Sequence, residues 1–281
     1  MIPQEFDYAA PTTLQETLQL IADGEKKILA GGMSLIPMMK LRLASPEQVV
    51  DLGRVPGLNY ITESGGTIRI GATATHHDIE TSAVIRARGP LLVEAASNIG
   101  DVQVRNRGTI GGSIAHADPA ADYPASLLAL EAQVRLASAK SERTVAAADF
   151  FLDAFTTALE PGEIVVEVTV PAEDSSEGYR YEKVPHPASG FAIVGVAARI
   201  KRSQGKISMA RIGVTGMGPH AFRALEAERL LESGATVDQA VATVGDGVEA
   251  NADLYASAEY RKHLARVRAK RAISTALTRA S

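Results

Sequence analysis

Two glycine pairs, Gly31-Gly32 and Gly111-Gly112, limit what this 281-residue chain can become. The first follows Leu29-Ala30 and precedes Met33-Ser34-Leu35; the second lies in Gly108-Thr109-Ile110-Gly111-Gly112-Ser113. Each stands where an apolar stretch breaks into small residues with a hydroxyl close behind. Paired glycines extend neither helices nor strands well, but they let bare backbone amides approach an anion such as a phosphate. A single Gly-Gly pair is an ordinary turn by default. Two of like composition in one region point to a ligand gripped from both sides. Neither is a P-loop, which needs a lysine after its last glycine, and neither spells the Gly-x-Gly-x-x-Gly of a dinucleotide fold.

The flanking segments give the loops their setting. Apolar positions at helical spacing over Thr12 to Ile21, with Thr13 ahead of them and Glu16 three residues on, read as a capped helix. Lys27-Ile28-Leu29-Ala30 is a short buried strand feeding the first pair, and Leu35 to Leu41 opens a helix with Pro37 in its first turn. Gln48 to Leu52 and Thr67 to Gly71 are further strands, and Leu91 to Ala96 and Tyr123 to Leu130 are helices. Strands alternating with helices argue for an α/β region. Gln133 to Ala137 and Glu163 to Pro171 alternate apolar and polar residues as half-buried strands do. The polar, acidic run Ala172 to Gly178 reads as a linker. Beyond it, Gly190 to Ile200 and Ile207 to Thr215 read as sheet strands, and from Ala221 the chain is helical, alanine-rich and finally basic. That order suggests a separate α+β domain.

Composition excludes whole classes of function. The formal charge is -4, so no basic excess invites nucleic acid or anionic lipid, and tryptophan is absent. The absence of cysteine rules out disulfides, thiolate nucleophiles and cysteine-held iron–sulfur clusters in this chain. No run of 18 apolar residues occurs, and the acidic start Met1 to Asp7 lacks the bases and apolar core of a signal peptide. A cytoplasmic protein is the expectation.

Other clusters admit two readings. Asp118 and Asp122, four apart around Pro119, either accept hydrogen bonds from a ligand hydroxyl or cap the helix at Tyr123. His76-His77-Asp78 with His116 matches no zinc spacing, and Thr75 to Asp78 has the makings of a helix cap. Ser34 lacks the Gly-x-Ser-x-Gly elbow of a hydrolase. Lys183 either holds an anion or is a solvated strand residue, and Arg105 and Arg107 either meet a phosphate or face water. No catalytic residue and no metal ligand is assigned.

Taken together, the two loops resemble those of the FAD-binding medium subunit of the molybdenum hydroxylases, the xanthine dehydrogenase and aerobic carbon monoxide dehydrogenase group. The stretch Leu29-Ala30-Gly31-Gly32-Met33-Ser34-Leu35 resembles the first flavin loop of that subunit. Thr109-Ile110-Gly111-Gly112-Ser113 with Asp118-Pro119 and Asp122-Tyr123-Pro124 resembles its second. The opening Ile2-Pro3 to Pro11, the segment Gly178 to Lys183 and Tyr260-Arg261 fit in the same order, so the resemblance spans nearly the whole chain.

The resemblance implies a two-lobed α/β FAD-binding domain over residues 1–174 and a small C-terminal α+β domain, an antiparallel sheet with a helical bundle, over residues 175–281. It implies FAD between the lobes, its pyrophosphate taking amides from both loops. Asp122 would contact the flavin, and Lys183 and Phe191 would lie near the ring system. It implies a large molybdopterin subunit and a small subunit with two [2Fe-2S] clusters as partners, assembled as a dimer of heterotrimers. Electrons would pass from those clusters through FAD to an external acceptor, while substrate is oxidised at molybdenum on the large subunit. A free-standing flavin oxidase and a flavin-holding assembly protein are the alternatives. Met33 stands where carbon monoxide dehydrogenase-like members often carry histidine, and Ser113 where asparagine is common. These departures weaken an assignment to carbon monoxide dehydrogenase itself and leave an N-heterocycle or aldehyde hydroxylase on an equal footing.

Overall fold

A computed structural model of the chain describes residues 2–174 and 176–281. Apolar residues sort into three buried clusters, and some strands contribute side chains to two of them.

The first lobe is a three-stranded parallel sheet. It comprises β1 (Asp7–Ala9), α1 (Leu14–Leu20), β2 (Lys27–Leu29), α2 (Leu35–Lys40) and β3 (Gln48–Asp51), in strand order β1-β3-β2. β3 takes the centre because Val49 and Val50 are fully covered. Thr13 caps α1 by accepting from the Glu16 amide, but the Glu16 carboxylate reaches the Thr12 amide at 2.9 Å, one residue earlier than a closed capping box requires.

The second lobe is an antiparallel sheet backed by helices. Strands β4 (Ile61–Ser64) and β5 (Thr67–Gly71) lead into α3 (His76–Thr81), α4 (Ala83–Arg88), α5 (Pro90–Ser97), α6 (Val102–Arg105), α7 (Ile110–His116) and α8 (Tyr123–Ala129). Then follow β6 (Gln133–Ala137), β7 (Glu142–Ala146), α9 (Ala147–Phe150), the short pair β8 (Phe151–Asp153) and β9 (Thr156–Thr157), and β10 (Ile164–Pro171). The order β4-β5-β10-β6-β7 puts β10 in the middle. A register shift between Val165 and Glu167 breaks its alternation, as a bulge does. Ile164 and Val166 therefore enter the first lobe's core, while Val165, Val168 and Val170 enter the second's. β6 is divided in the same way, Ala137 entering the first core and Val134 and Leu136 the second, so two neighbouring strands fix the lobes to each other.

The C-terminal part is an antiparallel sheet in sequential order: β11 (Glu177–Pro185), β12 (Ala192–Ser203), β13 (Lys206–Thr215) and β14 (Phe222–Arg223). Helices α10 (Leu225–Glu232), α11 (Val237–Ala242) and α12 (Ala258–Arg279) complete its core. Helix α8 of the second lobe packs on β12 and β13, where the missing side chain of Gly213 admits the Ala125 backbone. The helical region expected from Ala221 begins at Leu225, because Phe222 and Arg223 pair with β13 first. The acidic run read as a linker is not simply solvated. Glu173 is buried, and Glu177 forms a buried two-pronged pair with Arg199 at 2.9 and 3.0 Å. Ser175, the first residue of the expected second domain, lies outside the described residues, as does Met1.

Candidate functional site

A cleft of about 670 Å³ opens between the lobes at the carboxyl end of β2. Crevices at the carboxyl ends of parallel strands are where α/β sheets bind ligands, because loops there are free of the sheet's hydrogen bonding. The first glycine loop leaves β2 into this cleft, and the second enters α7 from the opposite lobe. A side-chain carbon on Gly31 would lie 2.7 Å from both the Arg107 carbonyl carbon and Gly108 Cα, so the two loops touch backbone to backbone. Gly32 adopts φ +78°, the left-handed region that favours glycine.

The amides of Gly31, Gly32, Met33, Ser34 and Leu35 find no protein acceptor among the described residues. Five consecutive donors at the start of a helix form a concave anion cradle. The second loop is built differently. Its amides from Ile110 and Gly111 donate to the Ala74 and Ala72 carbonyls at 3.0 and 2.9 Å, and those of Gly112 and Ser113 are engaged by the Thr109 cap. Only the Thr109 amide remains open in Thr109–Ser113 among the described residues. Gly111 serves packing, since a side-chain carbon there would meet Ala72 at 2.6 Å. The hydroxyls of Ser34 and Ser113 line the cleft without a protein partner among the described residues. Donor capacity is thus concentrated in the first loop.

Ala30, Gly31 to Leu35, Thr109, Gly111 to Ser113, Asp118, Asp122 and Phe191 all line the cleft. Leu29, Ile110 and Lys183 do not line it. Leu29 ends β2, Ile110 is buried in the first turn of α7, and the Lys183 side chain is only 2% exposed. Lys183 is therefore no solvated strand residue. Its ammonium donates to Asp122 Oδ2 at 2.8 Å and to the Asn98 carbonyl at 2.7 Å, while the Tyr181 hydroxyl donates to Asp122 Oδ1 at 2.6 Å. Asp122 makes no capping bond to α8. Burial pushes its carboxyl up to about 6 against the opposing pull of Lys183. Asp118 is spent locally, accepting from the Ala120 amide at 2.8 Å.

Thr75 and Asp78 close a capping box on α3, and His76 packs edge-on against Tyr123 at 5.3 Å between ring centroids. Burial lowers the His76 imidazole to about 4, which leaves it neutral at physiological pH. Among the described residues no group of three or more His, Cys, Asp or Glu could hold a metal ion. Arg105 is committed to Glu80 at 2.9 Å and to the Ile99 carbonyl, whereas Arg107 is exposed. Sequence reasoning missed other cleft walls: Lys27, Ile99-Gly100, His116 against Phe155 at 5.1 Å, and the Pro161-Gly162 turn. None carries a motif. The one available signal is Gly24, whose positive-φ turn abuts Pro161 from the other lobe.

Comparison with known proteins places this architecture. The family described as the FAD binding domain in molybdopterin dehydrogenase matches residues 4–173. The chain belongs to this family. The CO dehydrogenase flavoprotein C-terminal domain matches residues 179–276. The carbon monoxide dehydrogenase medium chain of Hydrogenophaga pseudoflava is 41% identical over 285 residues, 99% of each chain. The alpha subunit of the 6-hydroxypseudooxynicotine dehydrogenase complex of Paenarthrobacter nicotinovorans is 39% identical, over 100% of this chain and 97% of that one. The structure of the H. pseudoflava carbon monoxide dehydrogenase that lacks the Mo-pyranopterin moiety of its cofactor superposes with a TM-score of 0.97 at 42% identity, covering 100% of both chains.

This FAD-binding medium subunit of a molybdenum hydroxylase has a cleft that fits its cofactor. A pyrophosphate needs several N–H donors, and the Gly31–Leu35 amides with the Ser34 and Ser113 hydroxyls supply them. The volume lies within the roughly 300–1,000 Å³ of ligand pockets, and apolar lining on both sides of the loops suits two ring systems. Among the described residues no helix is long and apolar enough to cross a membrane.

Proposed function

We propose that this chain is the electron-transfer subunit of a heterotrimeric molybdenum hydroxylase. FAD, when bound, accepts electrons one or two at a time and releases them to an external acceptor. A small partner subunit with two [2Fe-2S] clusters supplies those electrons, and a large molybdopterin subunit oxidises the substrate, two heterotrimers forming the complex in the cytoplasm. Relatives that act on carbon monoxide and on 6-hydroxypseudooxynicotine share this subunit's form over their whole length, which supports a role independent of substrate.

The observation that carries the reading is the row of five cleft-lining amides that have no protein acceptor among the described residues. Gly31, Gly32, Met33, Ser34 and Leu35 would hold the pyrophosphate, with Thr109, Gly112 and Ser113 closing on it from the second lobe. Ala30 and Leu29 deliver the first loop from β2, and Ile110 and Gly111 seat the second on the sheet. Asp118 and Asp122 would bound the ligand beyond the loops, and Phe191, 43% exposed, would cover its outer end. Lys183 acts through Asp122. The chain's own residues bind, orient and exclude water; the redox chemistry belongs to the cofactor. A division into residues 1–174 and 175–281 is part of the same proposal.

The test is reconstitution. The purified chain incubated with FAD should turn yellow and oxidise no substrate, and activity should appear only when the large and small subunits are added. A chain that stays colourless at saturating FAD sinks the reading; one that oxidises substrate alone would make it a free-standing oxidase.

A further inference from the structure

Strand β11 belongs to the C-terminal sheet, yet two of its side chains reach under the cleft floor. Tyr181 and Lys183 are two apart, so they project from the same face of the strand. Together they take one Asp122 oxygen each, Tyr181 Oη at 2.6 Å and Lys183 Nζ at 2.8 Å. Neither lines the cleft, whereas Asp122 does. The sheet makes space for this grip. Across the β11–β12 ladder, a side-chain carbon on Gly195 would lie 3.0 Å from Tyr181 Cζ and closer still to its hydroxyl. The Tyr181 amide is anchored too, donating to Glu94 Oε2 at 2.7 Å. A buried tyrosine with both ends fixed and a phenol aimed at a carboxylate does more than fill volume.

We infer that Tyr181 is a positioning residue of the FAD site: its hydroxyl, held in the space Gly195 leaves open, fixes the Asp122 carboxylate in the orientation it presents to the cleft. The inference rests on the reading of the cleft as the flavin site. The phenol stays a donor, because burial and the adjacent carboxylate push its ionisation well above the usual range. Lys183 cannot substitute for it. Its ammonium is shared with the Asn98 carbonyl, and it occupies the other carboxylate oxygen. The titratable and charged groups that face Asp122 are Lys183 and Tyr181 from β11 and Tyr123 from the first turn of α8.

The test measures FAD affinity of the full-length chain as a function of pH, read by quenching of flavin fluorescence. In the parent, affinity should break near pH 6, where Asp122 titrates. Tyr181→Phe keeps the ring and its packing but removes the donor. It should weaken FAD binding by roughly tenfold and move the break to higher pH, because a group that favours the ionised carboxylate is gone. Gly195→Ala, which keeps the tyrosine but displaces its hydroxyl, should move the break the same way. A purely structural role would lower the melting temperature of Tyr181→Phe and leave the break where it was, and that result overturns the inference. So does a parent whose FAD affinity shows no break. A parent that binds no FAD overturns the flavin reading itself, which separates the two failures.

Discussion

The contact between Gly31 and the Arg107–Gly108 backbone makes Gly31→Ala the sharpest probe of the cleft. The new methyl carbon would sit 2.7 Å from the Arg107 carbonyl carbon and from Gly108 Cα. Ordinary contact begins at 3.4 Å, and the Arg107 carbonyl oxygen lies closer to the new carbon than either of these atoms, so the loops must part by well over 0.7 Å, the difference of 3.4 and 2.7. Both neighbours are backbone, so no rotamer change relieves the clash. Gly31 is absent from the positive-φ glycines, so alanine adds no left-handed strain, and the entropy it removes from the unfolded chain offsets only about 0.4–1 kcal/mol of the clash. Overpacking of this kind costs about 1–3 kcal/mol, which at about 2–4 °C per kcal/mol lowers the melting temperature by roughly 2–12 °C. Moving the loop also misaims its amides, and FAD binding should weaken by roughly tenfold, the worth of one charge-assisted hydrogen bond. Thermal unfolding of the purified chain and a fluorescence titration with FAD read the two effects separately. An alanine variant that melts within about 1 °C of the parent and binds FAD equally well would refute the loop-to-loop contact.

Two more outcomes follow from the buried polar groups. Asp122→Ala strands the Lys183 ammonium in the interior and should cost about 3–5 kcal/mol in urea unfolding, with loss of FAD, whereas Asp118→Ala gives up one local bond and should cost about 1 kcal/mol or less; the reverse order would move the key carboxylate. His76 titrates near 4 in the folded chain against 6.5 when unfolded, so the unfolded state binds more protons between those values and this term's stability is lost as pH falls from 6.5 toward 4. Asp122, raised from 3.8 to about 6, acts in the opposite direction, contributing more as pH falls through 6. His76→Phe should therefore flatten the acid limb of a urea-midpoint profile between pH 7 and 4.5, and an unchanged slope would show that the ring is not held neutral.

The elements with strong local patterning were legible in the sequence. β6 occupies the residues its alternation predicts, β5 those read as a strand, and the Thr75–Asp78 cap closes as its residue types require. β11 was not legible. Its sequence Glu177-Gly178-Tyr179-Arg180-Tyr181-Glu182-Lys183 is polar at nearly every second place, because Glu177 and Lys183 are buried through partners on other elements rather than through apolarity. The glycines show the same limit. Composition marks Gly31 and Gly111 as unusual, but only the fold distinguishes a glycine that admits a neighbouring backbone from one that bares its amide to a ligand. Lys27, Phe155 and Pro161 reach the cleft by topology alone, with no spacing that a linear reading could detect.

The grip of β11 on Asp122 also bears on how this site can be inherited. A fragment ending at Asp174 would retain both glycine loops and every amide of the cradle. It would also carry the Asp122 carboxylate with its phenol and ammonium removed, and an Asn98 carbonyl without its lysine. The stretch that bears the recognisable motif and the stretch that must be kept for the site to form are different lengths of chain. Recombination that exchanges the C-terminal sheet between relatives would replace both side-chain partners of Asp122 along with it, so the exchange is tolerated only where the incoming strand again supplies a donor to each carboxylate oxygen.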